Sequence, residues 1–135
     1  MVRKINSVAV IGGGTMGSGI AGLCAQNKRK VLLLDISEEA AKKALDRIVG
    51  HGPDESILED YITIGTIQKN LDKISEYDWI CEAVAEDLEI KRSVFDQLES
   101  VRKNNSIVST NTSGIPLRDI IKGMPKRLRN DVAVT

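Results

Sequence analysis

Val8 to Ala21 reads VAVIGGGTMGSGIA. A short apolar run enters a glycine-rich turn, and the turn opens into a stretch of small residues with helical character. Gly12, Gly14 and Gly17 stand in G-x-G-x-x-G spacing, with Ala21 four residues on. In a strand–turn–helix unit these positions have separate tasks. Gly12 permits the tight turn, Gly14 lets backbone approach a pyrophosphate, and Gly17 lets the helix pack against the strand. The free N–H groups and dipole at the helix start favour a phosphate's negative charge. A second match at Gly17, Gly19 and Gly22 has no apolar run directly before it and would fall inside the helix. The first register is therefore the one to test against the rest of the chain.

The flanking sequence supplies what that motif requires. Val31 to Leu34, VLLL, is a uniform apolar run of the kind found in a parallel sheet covered on both faces. It ends at Asp35, 23 residues after Gly12. A carboxylate there can accept hydrogen bonds from adenosine ribose hydroxyls and would repel a 2′-phosphate, so NAD is expected over NADP. Ser37, followed by Glu38 and Glu39, is the better helix cap. Ala41, Ala44, Leu45, Ile48 and Val49 then mark an amphipathic helix over residues 38–49. Residues 50–53, Gly-His-Gly-Pro, break it, and a short helix using Ile57, Leu58 and Tyr61 is an option beyond them.

Further strands are expected at 62–64, 79–84 (WICEAV), 107–110 and 132–134, beside the first at 7–11. A short helical connection is expected at 70–75. A helix from Leu88 to Arg102, capped by Asp87, would bury Ile90, Val94, Leu98 and Val101. Asn104–Asn105 reads as a turn. Pro116 sits near the start of another helix, which Gly123 and Pro125 would end. Alternating strands and helices imply right-handed βαβ units. The fold class is therefore α/β: a Rossmann-type doubly wound, mostly parallel sheet in the order 3-2-1-4-5-6, with helices on both faces and residues 1–135 as one domain. Ligands on such a sheet sit at the carboxyl ends of the strands near the switch point. The Gly turn, Asp35, Val84–Glu86 and Asn111–Ser113 would all meet there.

Composition narrows the function classes. Hydrophobic residues are 41% and charged residues 28% of 135, which fits a globular chain with a real core. Nineteen basic residues balance nineteen acidic ones, leaving no footprint for nucleic acid or an anionic membrane. No apolar run has bilayer-spanning length, and the apolar part of the N-terminus is too short for a signal peptide, so an intracellular, cytoplasmic protein is expected. Cys24 and Cys81 stand apart and read as free thiols; His51 is the sole histidine, so no metal site is expected.

Four blocks carry a resemblance to one family: VAVIGGGTMGSGIA; the VLLLD end of strand 2; EAVAEDLEIKRSVFDQLE from Glu82; and STNTS from Ser109. Together they resemble the NAD-binding domain of the 3-hydroxyacyl-CoA dehydrogenases. The last two blocks are the more specific. The resemblance implies that Gly12, Gly13, Gly14, Thr15, Met16 and Gly17 hold the cofactor pyrophosphate and Asp35 the adenosine ribose. It further implies that Val84, Ala85 and Glu86 border the nicotinamide half, that Lys91 reaches the cofactor from the next helix, and that Ser113 hydrogen-bonds the substrate's 3-oxygen. From spacing alone Lys91 would be a solvated helix-face residue, Glu86 part of an acidic helix start, and Ser113 an N-cap.

The implied reaction is reversible oxidation of an (S)-3-hydroxyacyl-CoA thioester to the 3-ketoacyl-CoA, with a histidine as base. The family's catalytic His opens a His-Phe-Phe-Asn-Pro stretch directly after the sixth strand. This chain ends at Thr135, about where that His is expected, and His51 is in the wrong place to replace it. The expected identity is thus the N-terminal domain of a larger dehydrogenase that lacks here the helical substrate and homodimer domain, and is inactive alone. The segment from Asp35 to Glu82 is shorter than in many members of the family, where helices contact CoA, so no CoA ligand is assigned. Other NAD-dependent β-hydroxyacid dehydrogenases share the G-x-G-x-M-G turn, but the EAVAEDLEIK and NTS blocks argue against them. A non-catalytic NAD-sensing module stands as the alternative outside the enzymes. An FAD domain fits the glycines, but its second strand usually ends in Glu.

Overall fold

A computed structural model describes residues 5–49, 59–112 and 114–134. Six parallel strands form one sheet: β1 (Ser7–Ile11), β2 (Lys30–Asp35), β3 (Ile62–Thr66), β4 (Trp79–Glu82), β5 (Ile107–Thr110) and β6 (Val132–Val134). Their spatial order is β3-β2-β1-β4-β5-β6, the doubly wound order expected from the sequence. The helices are α1 (Thr15–Gln26), α2 (Glu38–Val49), α3 (Ile67–Asn70), α4 (Leu88–Val101), α5 (Leu117–Ile121) and α6 (Lys126–Asp131), and a 3₁₀ turn spans Leu71–Glu76.

Strand residues alternate between two cores because successive side chains leave opposite faces of a sheet. Val8, Val10, Val31 and Leu33 join Ala21, Ala25 and Ala44 of α1 and α2. Ala9, Ile11, Leu32 and Leu34 join Phe95, Leu98, Ile120 and Leu128 of α4, α5 and α6. Covering both faces explains why VLLL shows no polar alternation: all four side chains are fully buried.

Four expectations are corrected. Strand β4 stops at Glu82 rather than residue 84, because the Val84 N–H is taken by the Glu82 carboxylate, not by a neighbouring strand. The inward face of α4 is Lys91, Val94, Phe95 and Leu98, while Ile90 is 46% exposed. A lysine breaks the apolar stripe in sequence, yet it is buried here because its ammonium meets a carboxylate. Pro125 does not end a helix; it precedes α6, and its carbonyl accepts from the Leu128 N–H. The connection after β3 begins earlier than expected, at Ile67, where Thr66 caps α3 through the Lys69 N–H. Residues 59–61 are helical, whereas Ile57, Leu58 and His51 lie outside the described residues. The caps at Ser37 (to the Ala40 N–H, 3.1 Å) and Asp87 (to the Ile90 N–H, 3.1 Å) form as expected.

At the opposite edge of the sheet, Asp78 ties the strand starts together. Its carboxylate accepts from the Asn6 N–H at 2.9 Å and from Lys103 Nζ, and its N–H donates to Ser7 Oγ. The hydrogen bond from Lys103 holds the Asp78 carboxyl below its usual range. A depressed folded-state pKa means a contribution present above the unfolded pKa and lost as pH falls through the folded one. Asp78→Asn should therefore lower stability by about 1 kcal/mol at pH 7. In urea titrations the gap from wild type should close as pH drops below the ordinary carboxylate range. A gap that is the same at pH 7 and in acid would refute this linkage.

Candidate functional site

The carboxyl edge of the sheet, at the β1/β4 switch point, carries a cavity of about 710 Å³, within the range of small-molecule sites. Gly12, Gly13, Gly14, Thr15, Met16, Asp35, Val84, Ala85 and Glu86 line it, together with Ala40, Lys43 and Arg47 of α2, Ala83 and Asn111. Three separate loops thus meet along one edge.

The Gly turn is fixed by backbone approach. Gly12 has φ +105°, and a Cβ there would lie 2.4 Å from the Ala83 carbonyl oxygen. Its N–H donates to the Leu34 carbonyl at 2.7 Å. A Cβ on Gly17 would lie 1.8 Å from the Gly12 carbonyl oxygen, so α1 seats directly against the turn. Gly17 is accordingly buried behind the cavity wall rather than in it. The Gly13 peptide is held on both sides. Its N–H donates to Asp35 Oδ2 at 2.9 Å, and its carbonyl accepts from Arg47 Nη1 at 2.6 Å and Ser18 Oγ at 2.9 Å.

The start of α1 fits a dinucleotide pyrophosphate. Gly14 is exposed, and a Cβ added to it would meet nothing within 4 Å, so the turn is open on this side. No side chain caps the helix, and its first turn has no acidic residue. The first-turn N–H groups have no intrahelical acceptors and face the cavity with the positive end of the dipole. Asp35 sits at the end of β2 with Oδ1 on the Ile36 N–H (2.7 Å) and Oδ2 on the Gly13 N–H. Each carboxylate oxygen keeps acceptor capacity for a ribose hydroxyl.

The other end of the cavity rests on a buried charge network. Glu82 and Lys91 have side chains with no exposure, and Lys91 Nζ lies 2.8 Å from Glu82 Oε2. Lys91 also donates to the Val84 carbonyl at 3.3 Å and lies 3.7 Å from Glu86 Oε1. Glu86 accepts from Thr112 Oγ1 and from the Gly114 N–H. Lys91 is thus one layer beneath the cavity wall. Ser113 lies outside the described residues.

A family model described as "3-hydroxyacyl-CoA dehydrogenase, NAD binding domain" matches residues 7–134. The chain belongs to this family. NAD is the cofactor of the domain, in accord with the open helix start and the Asp35 carboxylate. A probable 3-hydroxyacyl-CoA dehydrogenase of Bacillus subtilis is 35% identical over 147 residues, covering 91% of this chain and 19% of that protein. A putative fatty acid oxidation complex trifunctional enzyme of Rickettsia felis is 32% identical, covering all of this chain and 20% of that protein. The solved 3-hydroxybutyryl-CoA dehydrogenase of Escherichia coli K12 superposes with a TM-score of 0.86 at 30% identity, over 97% of this chain and 29% of that one. The chain spans about a fifth of the length of the first curated relatives it matches. Among the described residues, no helix is long and apolar enough to cross a membrane, and no cluster of His, Cys, Asp and Glu could hold a metal ion.

Three side chains of this NAD-binding domain carry no role that the sequence shows. Lys43 and Arg47, one helical turn apart, put two cations on the α2 wall. Nothing in the apolar spacing of Ala41, Ala44, Leu45, Ile48 and Val49 marks these two as part of a site. Glu82 was legible as an acid ending an apolar strand nine residues before a lysine, but its pairing with that lysine was not.

Proposed function

We propose that residues 1–135 form the NAD-binding domain of a larger protein that interconverts (S)-3-hydroxyacyl-CoA and 3-ketoacyl-CoA in fatty-acid β-oxidation or its reverse. The single observation that supports it best is the meeting of the Gly turn, Asp35 and the EAVAE segment around one cavity. Gly12 to Gly17 would orient the pyrophosphate and Asp35 the adenosine ribose. Val84, Ala85 and Glu86 would border the nicotinamide half, with Lys91 beneath them, and Ser113 would hydrogen-bond the substrate's 3-oxygen. NAD supplies the hydride acceptor for the hydrogen on substrate C3. The hydroxyl proton needs a base with a near-neutral pKa, and the chain's one histidine, His51, is not in the family's position for it. We therefore assign proton transfer, the rest of the acyl-CoA pocket and a homodimer interface to a further, C-terminal domain. A cytoplasmic setting is part of the same reading.

Calorimetric titration of this chain with NADH should show binding, while acetoacetyl-CoA and NADH together should give no turnover. A folded chain that leaves NADH unbound refutes the cofactor assignment. Measurable reduction of acetoacetyl-CoA refutes the division of labour between domains.

A further inference from the structure

Glu82 is the hub of the edge on which the cofactor would lie. It ends the central strand β4, and its side chain is wholly buried. Oε2 accepts from Lys91 Nζ and from the Val84 N–H, both at 2.8 Å, and Oε1 accepts from Thr110 Oγ1 at 2.5 Å. Its own carbonyl accepts from the Asn111 N–H at 2.8 Å, and the next residue's N–H donates to the Ile11 carbonyl at 2.7 Å. One side chain therefore connects α4, β5 and the Val84–Glu86 turn.

A buried ion pair is a poor way to gain stability, since two charges must be taken out of water. A neutral polar side chain could accept the Val84 N–H and Thr110 hydroxyl bonds without a buried charge. What the ion pair adds is charge at a fixed place. Glu82, Lys91 and Glu86 lie together, with Lys91 Nζ 2.8 Å from one carboxylate and 3.7 Å from the other. Among these three side chains, two carboxylates and one ammonium sum to one net negative charge at the Val84–Glu86 wall, with Glu82 and Lys91 beneath it.

We propose that Glu82 is a positioning residue that, by holding Lys91 and balancing its charge, sets the site's preference between oxidised and reduced nicotinamide. The oxidised ring is cationic and the reduced ring is neutral. A net negative cluster beside the ring favours the oxidised form, whereas the phosphates and adenosine are the same in both. This rests on the proposed assignment of the Val84–Glu86 side to the nicotinamide.

Three charge states test it: Glu82→Gln brings the cluster to zero, Lys91→Met to two negative charges, and the double variant back to one. The measured quantity is the ratio of NAD+ to NADH affinity on the full chain, with AMP as a probe of the Asp35 end. Glu82→Gln should lower the ratio and Lys91→Met should raise it, each about fivefold, the order expected for one unit charge in a partly hydrated site. The double variant should return to the wild-type ratio, and AMP affinity should stay unchanged throughout. A merely structural role would weaken both nicotinamide forms together and leave the ratio unmoved; that outcome overturns the proposal. If Glu82→Gln does not fold, the other two decide. A double variant whose ratio stays at the Lys91→Met value overturns it. A wild-type chain that binds AMP but neither nicotinamide form sinks the nicotinamide assignment, and this proposal with it. Wild-type binding of both forms with an unmoved ratio sinks this proposal alone.

Discussion

Gly17→Ala is expected to weaken NADH binding by this chain about 100-fold or more and to destabilise the fold at the same time. The added methyl would lie 1.8 Å from the Gly12 carbonyl oxygen and 2.9 Å from its carbonyl carbon, and both are backbone atoms. No rotamer change relieves such a clash; either α1 must move off the turn or the turn must move off β1. Moving the turn breaks its tie to β2, the 2.7 Å hydrogen bond from the Gly12 N–H to the Leu34 carbonyl. Overpacking of this kind costs about 3 kcal/mol. The first-turn N–H groups of α1 would then no longer meet the pyrophosphate. Losing two charge-assisted hydrogen bonds at about 1.5–3 kcal/mol each gives a loss on the order of 100-fold or more. Gly14→Ala is the control. It has open space within 4 Å and an ordinary extended conformation, φ −67° and ψ −168°. Its melting temperature should stay close to wild type while its methyl obstructs the phosphate, so binding alone should fall. Thermal melts and NADH titrations of the pair separate the two effects. Wild-type affinity in Gly17→Ala would show that the turn is not the phosphate cradle.

The order of the sheet could be read from the chain because short apolar runs alternate with helical periods, and because β1 and β2 are buried almost throughout. Parallel strands covered on both faces leave no other use for VLLL or WICE. Edges were read less well where a side chain replaced a backbone partner. Nothing in WICEAV announces that the Glu82 carboxylate takes the Val84 N–H, so the apolar run alone extends two residues past the end of β4. Helix α6 is hidden in the sequence because Pro125 serves equally as a stop and as a start; Leu128, fully buried against the core, decides for a start.

The candidate site divides in the same way. Gly12, Gly14 and Asp35 were legible because backbone geometry and a terminal carboxylate leave fixed spacings in sequence. Lys91 was legible only as a position in EDLEIK. Its burial follows from Glu82, nine residues earlier on another element, and periodicity treats any lysine as a surface residue. Arg47 reaches the Gly13 carbonyl across 34 residues, a contact set by how α2 packs on the sheet.

Asp35→Ala should weaken NADH binding about 100-fold, because it removes a charged acceptor for ribose hydroxyls and frees the Gly13 N–H that it holds. Asp35→Asn separates these two roles. Its one amide oxygen can still accept from the Gly13 N–H at the position of Oδ2, which keeps that tie to the turn, while the exposed Ile36 N–H loses Oδ1 as its acceptor and turns to water. The second oxygen becomes an NH₂ donor, and the net negative charge is gone. NADH affinity should fall about tenfold, the worth of one charge-assisted hydrogen bond. NADPH should move the other way in relative terms. The wild-type carboxylate repels a 2′-phosphate, while Lys43 and Arg47 line the α2 wall of the same cavity. With the carboxylate neutralised, those cations should act on the phosphate unopposed, and the ratio of NADPH to NADH affinity should rise. That rise should shrink with added salt, since Lys43 and Arg47 are both exposed. Parallel titrations with NADH and NADPH at low and high salt test each step. Equal loss of both cofactors in Asp35→Asn would mean that the carboxylate shapes the turn without reading the ribose. Unchanged NADH affinity in Asp35→Ala would remove it from the site altogether.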